Sequence, residues 1–348
     1  MINFQLMHLA KYFVLVTAIF LFYRFVREYM IRIGLNLSVF LKKLNNLRFT
    51  TRPLSANRNA GTIKSTLHKD FQEGVLTLYL NRPLKKNAFN IKMYKEVEKE
   101  LEIAKTDPQI KVLLITGNGD YYSSGNDLAN FSVLKHPLTI ASEAREILKS
   151  FVESFILVNK PIICAVNGPA IGIAVTTLGL CDRVFSSSSA FFKTPFAELG
   201  QYPEGCSSYM FPRLMGEARA YEVLWQGKRL SPEDALEYGL IHSIESPDTV
   251  LLKATEYARN IAALPVESNE LRSRIARENL TSTLLKVNEE ECSILEKKWI
   301  SKECFAALAK FLESRNMPLQ AAILRYGTPI PRSHQSLSCN NRPFTCLL

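Results

Sequence analysis

The sequence predicts an α/β protein with a largely parallel sheet, followed by a helical C-terminal region. Segments 74–83, 111–119 and 160–168 are apolar or alternating and end in turns, which is typical of strands. Segments 90–107 and 141–158 lie between them and have the period of amphipathic helices. Further along the chain the strand patterns stop. Because strands and helices alternate first, we expect parallel pairing with helical crossovers in the sheet.

The individual elements carry local signals of their own. In the first helix, Met93, Val97, Leu101 and Ala104 form one stripe, and Asn90 is a suitable N-cap. Later elements are predicted as a helix over 172–180, two short strands within 183–196, and a helix that opens at Ser231-Pro-Glu-Asp, where serine is the cap and proline takes the first position.

We expect residues 65–255 to form the core domain, residues 256–318 a helical region and residues 319–348 a loose tail. In the helical region, large apolar residues recur at near-helical spacing, which predicts that the helices bury an apolar face against neighbouring subunits. These residues are Leu284, Val287, Cys292, Leu295, Trp299, Phe305, Leu308 and Phe311.

The net charge of +10 is concentrated at the N-terminus. Residues 1–69 hold eleven Lys and Arg against one acid. The whole chain has 43 basic and 33 acidic residues, so residues 70–348 hold equal numbers of the two. The charge therefore gives no support for a nucleic-acid partner. The seven cysteines are scattered, without metal-ligand spacing, and indicate a reducing compartment.

Residues 1–64 are predicted to be a targeting or membrane-anchoring segment. The apolar run 12–23 is followed by basic residues almost without acids, a composition typical of a mitochondrial presequence. A signal anchor that contacts the membrane through residues 1–24 is the alternative. We expect a mitochondrial location, with a membrane-anchored or a peroxisomal one as alternatives. The C-terminal sequence "TCLL" is not a peroxisomal S-K-L-type signal, which weakens the last of these.

Three stretches suggest a ligand site. "YYSSGNDL" (121–128) follows a buried strand, and its small residues allow close approach to the backbone, although ordinary turn chemistry explains the same letters. "NGPAIGIAVTTLGLCD" (167–182) places a glycine before an apolar helix, whose free N–H groups attract negative charge, unless it is only a tightly packed helix entry. "GQYPEGCSSYMFPRLMG" (200–216) holds Glu204, which local sequence alone explains better as a solvated turn residue.

Together, these stretches and "NRPLKKNAF" (81–89) resemble the crotonase (enoyl-CoA hydratase/isomerase) superfamily over roughly 65–315, and the third stretch resembles its type 2 Δ3,Δ2-enoyl-CoA isomerase branch. The resemblance implies a crotonase-like spiral core of ββα turns and a C-terminal helical trimerisation region. It also implies an acyl-CoA thioester substrate and no cofactor or metal. A homotrimer or a dimer of trimers is expected.

The resemblance assigns Glu204 as the catalytic acid/base and the N–H groups of Ser124 and Ile173 as oxyanion-hole donors. It also gives the substrate and coenzyme A contacts, which would be Lys85, Lys86, Ala88, Tyr122, Ser123, Gly125, Asn126, Asp127, Gly172 and Phe196. Within this set, Asp127 is expected to be a structural loop residue. The two lysines are equally explained as surface charge.

Relatives that add water use two glutamates, and this chain has Thr176 and Phe196 at the two positions. Glu198 is nearby but is expected to point away from the site. The remaining carboxylate, Glu204, predicts double-bond isomerisation in unsaturated fatty acid β-oxidation rather than hydration. A non-catalytic acyl-CoA-binding or scaffold protein on the same fold is the main alternative. Another enolate reaction on the same fold, such as thioester hydrolysis, is the second alternative.

Overall fold

The computed structural model describes residues 65–131 and 137–314. The predicted targeting segment (1–64) and tail (319–348) lie outside the described residues. Within the described ranges, no helix is both long and apolar enough to cross a membrane.

The main feature is a six-stranded sheet in the order β1-β2-β3-β4-β6-β8. Only β1 and β2 are antiparallel, and every other neighbouring pair is parallel. Strands β5 and β7 form a separate parallel pair. The strands are β1 (Leu67–Gln72), β2 (Val75–Leu80), β3 (Val112–Gly117), β4 (Ile162–Val166), β5 (Ala170–Ile171), β6 (Arg183–Ser187), β7 (Phe192–Lys193) and β8 (Ser243–Glu245).

Helices cover the sheet and form the C-terminal region. They are α1 (Ile91–Thr106), α2 (Pro137–Leu157), α3 (Ile173–Thr176), α4 (Ser207–Met215), α5 (Glu217–Leu224), α6 (Pro232–Glu237), α7 (Val250–Ala262), α8 (Val266–Trp299) and α9 (Lys302–Ser314). Short 3-10 turns occur at Pro83–Lys85, Leu128–Phe131, Thr177–Leu180 and Ala197–Leu199.

Strand β3 lies at the centre of the core, and all six of its residues are buried. Leu113 and Ile115 pack into the larger cluster with α1 and α2. Val112 and Leu114 point to the opposite face, where they pack with alanines of α7. A strand buried on both faces is expected in a parallel sheet covered by helices, and it explains why this segment is apolar throughout.

Local sequence signals predicted several elements correctly. Asn90 caps α1, because its side chain accepts a hydrogen bond of 2.9 Å from the N–H of Met93. Ser231 and Asp234 form a reciprocal capping box at the start of α6. The predicted strands around the serines are β6 and β7. The predicted helix after Gly172 is α3 followed by a 3-10 turn.

The prediction that the C-terminal helices bury an apolar face against neighbouring subunits is corrected in part. Leu284, Leu295 and Leu308 are buried in their own chain, in the same cluster as residues of α2. Val287, Phe305 and Phe311 are half-buried. Polar contacts fasten the same face: the side-chain amide of Asn288 donates to the carbonyl of Lys149 at 3.0 Å. The stripe therefore joins α8 to the core of its own chain.

Candidate active site

Two loops meet at the carboxyl end of the sheet. The first loop (residues 118–127) follows β3 and the second loop (residues 167–173) follows β4, so the two leave adjacent parallel strands at the same edge. The N–H of Ile171 donates to the carbonyl of Ser123 at 3.0 Å, and this contact fixes one loop against the other. Ligands bind at this edge in many parallel-sheet proteins.

The contact between the loops requires a glycine. A Cβ atom on Gly125 would stand 2.6 Å from the carbonyl oxygen of Ile171, which is closer than carbon and oxygen can approach. The φ angle of Gly125 is +81°, in the region that L-residues with side chains rarely adopt. Gly125, which was predicted to contact the ligand, is therefore needed for the close contact between the two loops.

The second loop ends in a main-chain donor. Ile173 is the first residue of α3, and its side chain is buried. Among the described residues, the N–H of Ile173 has no hydrogen-bond acceptor, whereas the N–H groups of Val175 and Thr176 donate to the carbonyl of Gly172. The free N–H of a helix start attracts negative charge, which is the property required of an oxyanion donor.

The other predicted oxyanion donor is engaged. The N–H of Ser124 donates to the carbonyl of Lys86 at 2.9 Å. Lys86 itself has a left-handed backbone, with φ of +51°. For Ser124 to hold a ligand oxygen, this bond has to be shared or broken, so in this structure the two predicted donors are not equivalent.

Glu204 faces the second loop from the other side. It is 8% exposed. Its Oε1 atom lies 4.0 Å from the position that a Cβ atom on Gly172 would occupy, next to the free N–H of Ile173. The structure thus brings the carboxyl group of Glu204 close to Gly172, which directly precedes the free N–H of Ile173.

The environment of Glu204 favours the protonated carboxyl group. Burial, and then the nearby carboxylate of Glu291, raise the pKa of Glu204 to about 8. Neither cause is a hydrogen bond, and within the described ranges no side-chain or main-chain donor contacts this carboxyl group. A carboxylate that lacks such donors is a strong base for its type.

The positions that carry glutamates in water-adding relatives are apolar or neutral here. Thr176 is fully buried, and its hydroxyl donates to the carbonyl of Ile173 at 3.3 Å. Phe196 is also buried. Glu198 is exposed and pairs with Lys193 at 2.6 Å, so it points to the surface, as the sequence predicted.

The predicted coenzyme A loop lies beside the first loop. Lys85 and Lys86 are exposed, and the ammonium group of Lys86 lies 4.7 Å from the ring centre of Tyr121. Ala88 is buried. Exposed lysines beside the site suit the phosphates of a ligand, and the same exposure is expected of plain surface charge.

Several predicted ligand contacts in the first loop hold the loop itself. The buried hydroxyl of Ser123 donates to the carbonyl of Asn87 at 2.8 Å. The phenol of Tyr122 points into the core, where it contacts the thiol of Cys164. Asn126 accepts a hydrogen bond from Asn130 at 2.8 Å. For Tyr122 and Ser123, the prediction of a ligand contact can apply only to the main chain.

Asp127 forms a half-buried ion pair with Arg82 at 2.9 Å. Its second oxygen accepts from the N–H of Ala129 at 3.0 Å. These contacts join the first loop to the coenzyme A loop. Contacts of this kind are what we expect of Asp127 if it is a structural loop residue.

Sequence reasoning missed two important residues. Asn87 is fully buried; its amide donates to the carbonyls of Asn118 and Tyr121, and its oxygen accepts from the N–H of Arg82. Nothing in the letters "KKNAF" signals this. Glu291 lies within the run "NEEEC" of α8, which looks like a solvated helix face, yet it is 2% exposed. Its spacing from the buried residues Leu284 and Leu295 was the available clue.

Within the described ranges, no cluster of three or more His, Cys, Asp or Glu side chains is placed to hold a metal ion. What the site offers is a free main-chain N–H at a helix start, a main-chain N–H in the first loop that donates to the carbonyl of Lys86, and a buried carboxyl group beside Gly172.

The fold and the candidate site define an α/β protein with a free main-chain N–H at a helix start and a buried carboxyl group near it. The family model described as enoyl-CoA hydratase/isomerase matches residues 70–321, and the chain belongs to this family.

The chain is also similar to individual proteins. Enoyl-CoA delta isomerase 2 of Homo sapiens is 41% identical over 254 residues, which cover 72% of this chain and 64% of the human protein. Enoyl-CoA delta isomerase 2 of Rattus norvegicus is 42% identical, with coverage of 69% and 61%. Among solved structures, Pseudomonas aeruginosa OdaA has 34% identity and a TM-score of 0.67, with coverage of 71% and 98%. The chain thus spans less than two thirds of the length of the two isomerases.

Proposed function

We propose that the protein is a Δ3,Δ2-enoyl-CoA isomerase, which moves the double bond of a 3-enoyl-CoA to give the trans-2-enoyl-CoA. The observation that carries the proposal is the position of Glu204, a buried carboxyl group beside Gly172, which precedes the free N–H of Ile173. The similarity to two delta isomerases supports the same reaction.

The first step removes a proton from C2 of the substrate. The thioester acidifies this proton, and the carboxylate of Glu204 accepts it as the general base. The electron pair moves into the dienolate, whose oxygen takes up the negative charge. The N–H of Ile173 donates to that oxygen, and the N–H of Ser124 does so once its bond to Lys86 is released. Each such donor is typically worth about 2.7–4 kcal/mol in the transition state.

The second step returns the same proton at C4, so one carboxyl group serves both carbons. This requires a carboxylic acid that does not exchange its proton with water during the reaction. The burial of Glu204, and buried Thr176 and Phe196 at the positions where relatives hold water, support such a transfer. The chemistry requires no metal or cofactor, because the coenzyme A thioester itself supplies the activation.

The coenzyme A part of the substrate is proposed to lie along the loop of Lys85 and Lys86, with the ammonium groups near its phosphates. The main chain between Tyr122 and Asp127 and the Gly172 turn would then contact the pantetheine and the thioester. This pose brings C2 between Glu204 and the donors.

The test is a comparison of 3-enoyl-CoA and 2-enoyl-CoA as substrates for the purified protein. We expect isomerisation of the first and little addition of water to the second. In Glu204→Gln, isomerase turnover should fall by about 10²–10⁴-fold, the usual contribution of general acid/base catalysis. Glu198→Gln is the matched control, because its carboxylate pairs with Lys193 on the surface. Strong hydration by the wild type, or full activity of Glu204→Gln, would contradict the proposal.

A non-catalytic acyl-CoA-binding role is the second candidate, and the engaged N–H of Ser124 favours it. A site with one free oxyanion donor can bind a thioester without activating it fully. Calorimetry with a saturated acyl-CoA, together with absent turnover of every enoyl-CoA, would support this candidate over the first.

We also propose a homotrimer or a dimer of trimers that acts in unsaturated fatty acid β-oxidation in mitochondria. Exposed apolar side chains, including Tyr221 and Leu252, supply surface for assembly. Light scattering tests the assembly, and a monomer would contradict it. A reporter fused to residues 1–64 tests the location: mitochondrial import supports it, and a reporter in peroxisomes or at another membrane contradicts it.

A further inference from the structure

A second buried carboxyl group lies behind Glu204, and the proposed reaction does not use it. Glu291 is on α8 and is 2% exposed. Its neighbour on the same helix, Glu290, is exposed and pairs with Lys286 at 3.9 Å. A buried carboxylate is costly to keep, so its contacts indicate what it does.

Within the part of the chain that the structure describes, every side-chain hydrogen bond of Glu291 goes to the turn that carries Glu204. One oxygen accepts from the N–H of Cys206 at 2.7 Å, and the other accepts from the N–H of Ser208 at 2.9 Å. The hydroxyl of Ser208 donates to that second oxygen as well. The carboxylate thus caps the start of α4 from a helix more than 80 residues away, where the helix dipole favours negative charge.

The turn needs this support because its backbone is strained. Cys206 has φ of +60°, a left-handed conformation that costs a non-glycine residue about 1–2 kcal/mol. Gly205 before it has φ of +69°. Strained residues persist where the surroundings over-determine them. Here the main-chain N–H of Cys206, next to the strained φ bond, is held by Glu291.

We propose that Glu291 is a positioning residue, which aims the carboxyl group of Glu204 at the substrate by holding the turn from Glu204 to Ser208 in its strained conformation. The proposal rests on the proposed isomerase function. Glu291 does not contact the reacting atoms; it acts through Glu204.

The same arrangement couples the charges of the two groups. A negative Glu291 disfavours a negative Glu204, so it strengthens Glu204 as a base, and it is one of the two causes that raise the pKa of Glu204. Burial raises the pKa of Glu291 itself to about 7, although its hydrogen bonds from Ser208 and Cys206 lower it.

Other titratable or charged groups also face this pair. Near Glu204 they are Tyr94 of α1 and Cys292 of α8. Near Glu291 they are Tyr202 and Cys206 before α4, Tyr209 and Arg213 of α4, Glu217 of α5, and Glu290 and Cys292 of α8.

The test compares Glu291→Gln with Glu290→Gln in the full-length protein. Glutamine keeps the size of the side chain, but it carries no charge and its amide group cannot accept the second N–H. We expect kcat of Glu291→Gln to fall by about 10- to 100-fold, as for a reacting group misplaced by about 1 Å, with KM changed less than about threefold. The acid limb of kcat/KM should move to lower pH by about half a unit or more, because the repelling charge is gone. Glu290→Gln should match the wild type.

A fall in kcat with an unmoved acid limb would mean a merely structural role and overturn the proposal, as would an unchanged kcat. If Glu291→Gln does not fold, Ser208→Ala tests the proposal by the same two measurements, kcat and the pH of the acid limb of kcat/KM. This substitution removes only the hydroxyl group that donates to Glu291. It therefore weakens the attachment of the turn to Glu291, and it favours the protonated form of Glu291 because a hydrogen bond that stabilises the carboxylate is lost. Its effects should be smaller, in the same directions.

The outcome for Glu291 is separable from the proposed function. If the wild type isomerises 3-enoyl-CoA and Glu204→Gln does not, the function stands whatever Glu291→Gln shows. If the wild type is inactive, the function fails, and NMR titration of the Glu204 carboxyl carbon still tests the coupling. A lower titration midpoint in Glu291→Gln supports it, and an unchanged midpoint overturns it.

Discussion

Gly172 lies beside the buried carboxyl group of Glu204. A Cβ atom added to Gly172 would stand 4.0 Å from Oε1 of Glu204. Gly172 also has φ of +60°. The backbone conformation disfavours a side chain at this position, whereas a Cβ atom itself would make only an ordinary van der Waals contact with Glu204. In the proposed reaction, that atom would compete with the substrate for the space beside the base.

Gly172→Ala should lower kcat/KM for 3-enoyl-CoA by about 10²-fold, because the methyl group displaces C2 of the substrate from Glu204. Steady-state kinetics measure this loss. Gly216→Ala is the matched control: Gly216 has φ of +81°, but nothing lies within 4 Å of its Cβ position. Both variants should lose about 1–3 kcal/mol of stability from backbone strain, because both glycines have positive φ angles outside the left-handed helical region. Equal loss of activity in both would show that strain, and not the space beside Glu204, is responsible.

The raised pKa of Glu204 predicts the pH dependence of the reaction. The base must be ionised, and its pKa is about 8, so kcat/KM should rise about tenfold per pH unit below pH 8 and level off above it. Kinetics between pH 6 and about 9.5 measure the limb. Binding of a saturated acyl-CoA does not need an ionised Glu204, so it should lack this limb. An acid limb near the ordinary glutamate pKa of 4.5 would show that the site does not disfavour the carboxylate.

Much of the fold could be predicted because its signals are local. The cap at Asn90, the capping box at Ser231 and the apolar letters of β3 each depend on a few neighbouring residues. β8 was missed because three half-buried residues carry no readable pattern. Helix α4 was missed because a turn with positive φ angles at Gly205 and Cys206 precedes it, and a cysteine gives no sequence signal for that conformation. Helix α5 was missed as well; it begins after Gly216, without a side-chain cap.

In the candidate site too, the residues in short contiguous stretches could be predicted and those that depend on distant contacts could not. Glu204 and the two loops could be found from the resemblance, because these stretches are short and contiguous. Glu291 could not, since its burial depends on α8 packing against the turn, 85 residues away from Cys206. The bond from Ser124 to Lys86 was equally hidden, because it depends on the backbone conformation of Lys86.

Asn87 is predicted to hold the coenzyme A loop. Its side chain makes hydrogen bonds to main-chain atoms of Arg82, Asn118 and Tyr121, so Asn87→Ala should lower the free energy of unfolding by roughly 3 kcal/mol, at about 1 kcal/mol per bond. The loosened loop should also raise KM for enoyl-CoA more than it lowers kcat. Urea unfolding and steady-state kinetics measure the two effects.

Asn118→Ala is the control for Asn87. It removes one side-chain hydrogen bond, to Asn81 at 3.1 Å, and keeps the Asn118 carbonyl that Asn87 uses. It should cost less than about 1.5 kcal/mol and leave KM unchanged. If Asn118→Ala raises KM as much as Asn87→Ala does, the loop is not held by Asn87 in particular.

Glu204 should make the protein less stable as the pH rises. Its pKa is about 8 in the folded protein and near 4.5 when unfolded, so between these values the folded state keeps a proton that the unfolded state releases. The free energy of unfolding therefore falls as the pH rises from about 4.5 to 8 and changes no further above that. Glu204→Gln removes this contribution. Its stability relative to the wild type should increase by a few kcal/mol between pH 5 and about pH 8.5, at up to about 1.4 kcal/mol per unit. Urea unfolding at both pH values measures the difference, and Glu198→Gln, whose carboxylate is exposed, should show no such increase. A Glu204→Gln variant that follows the wild type at every pH would mean that Glu204 is not desolvated in the folded protein.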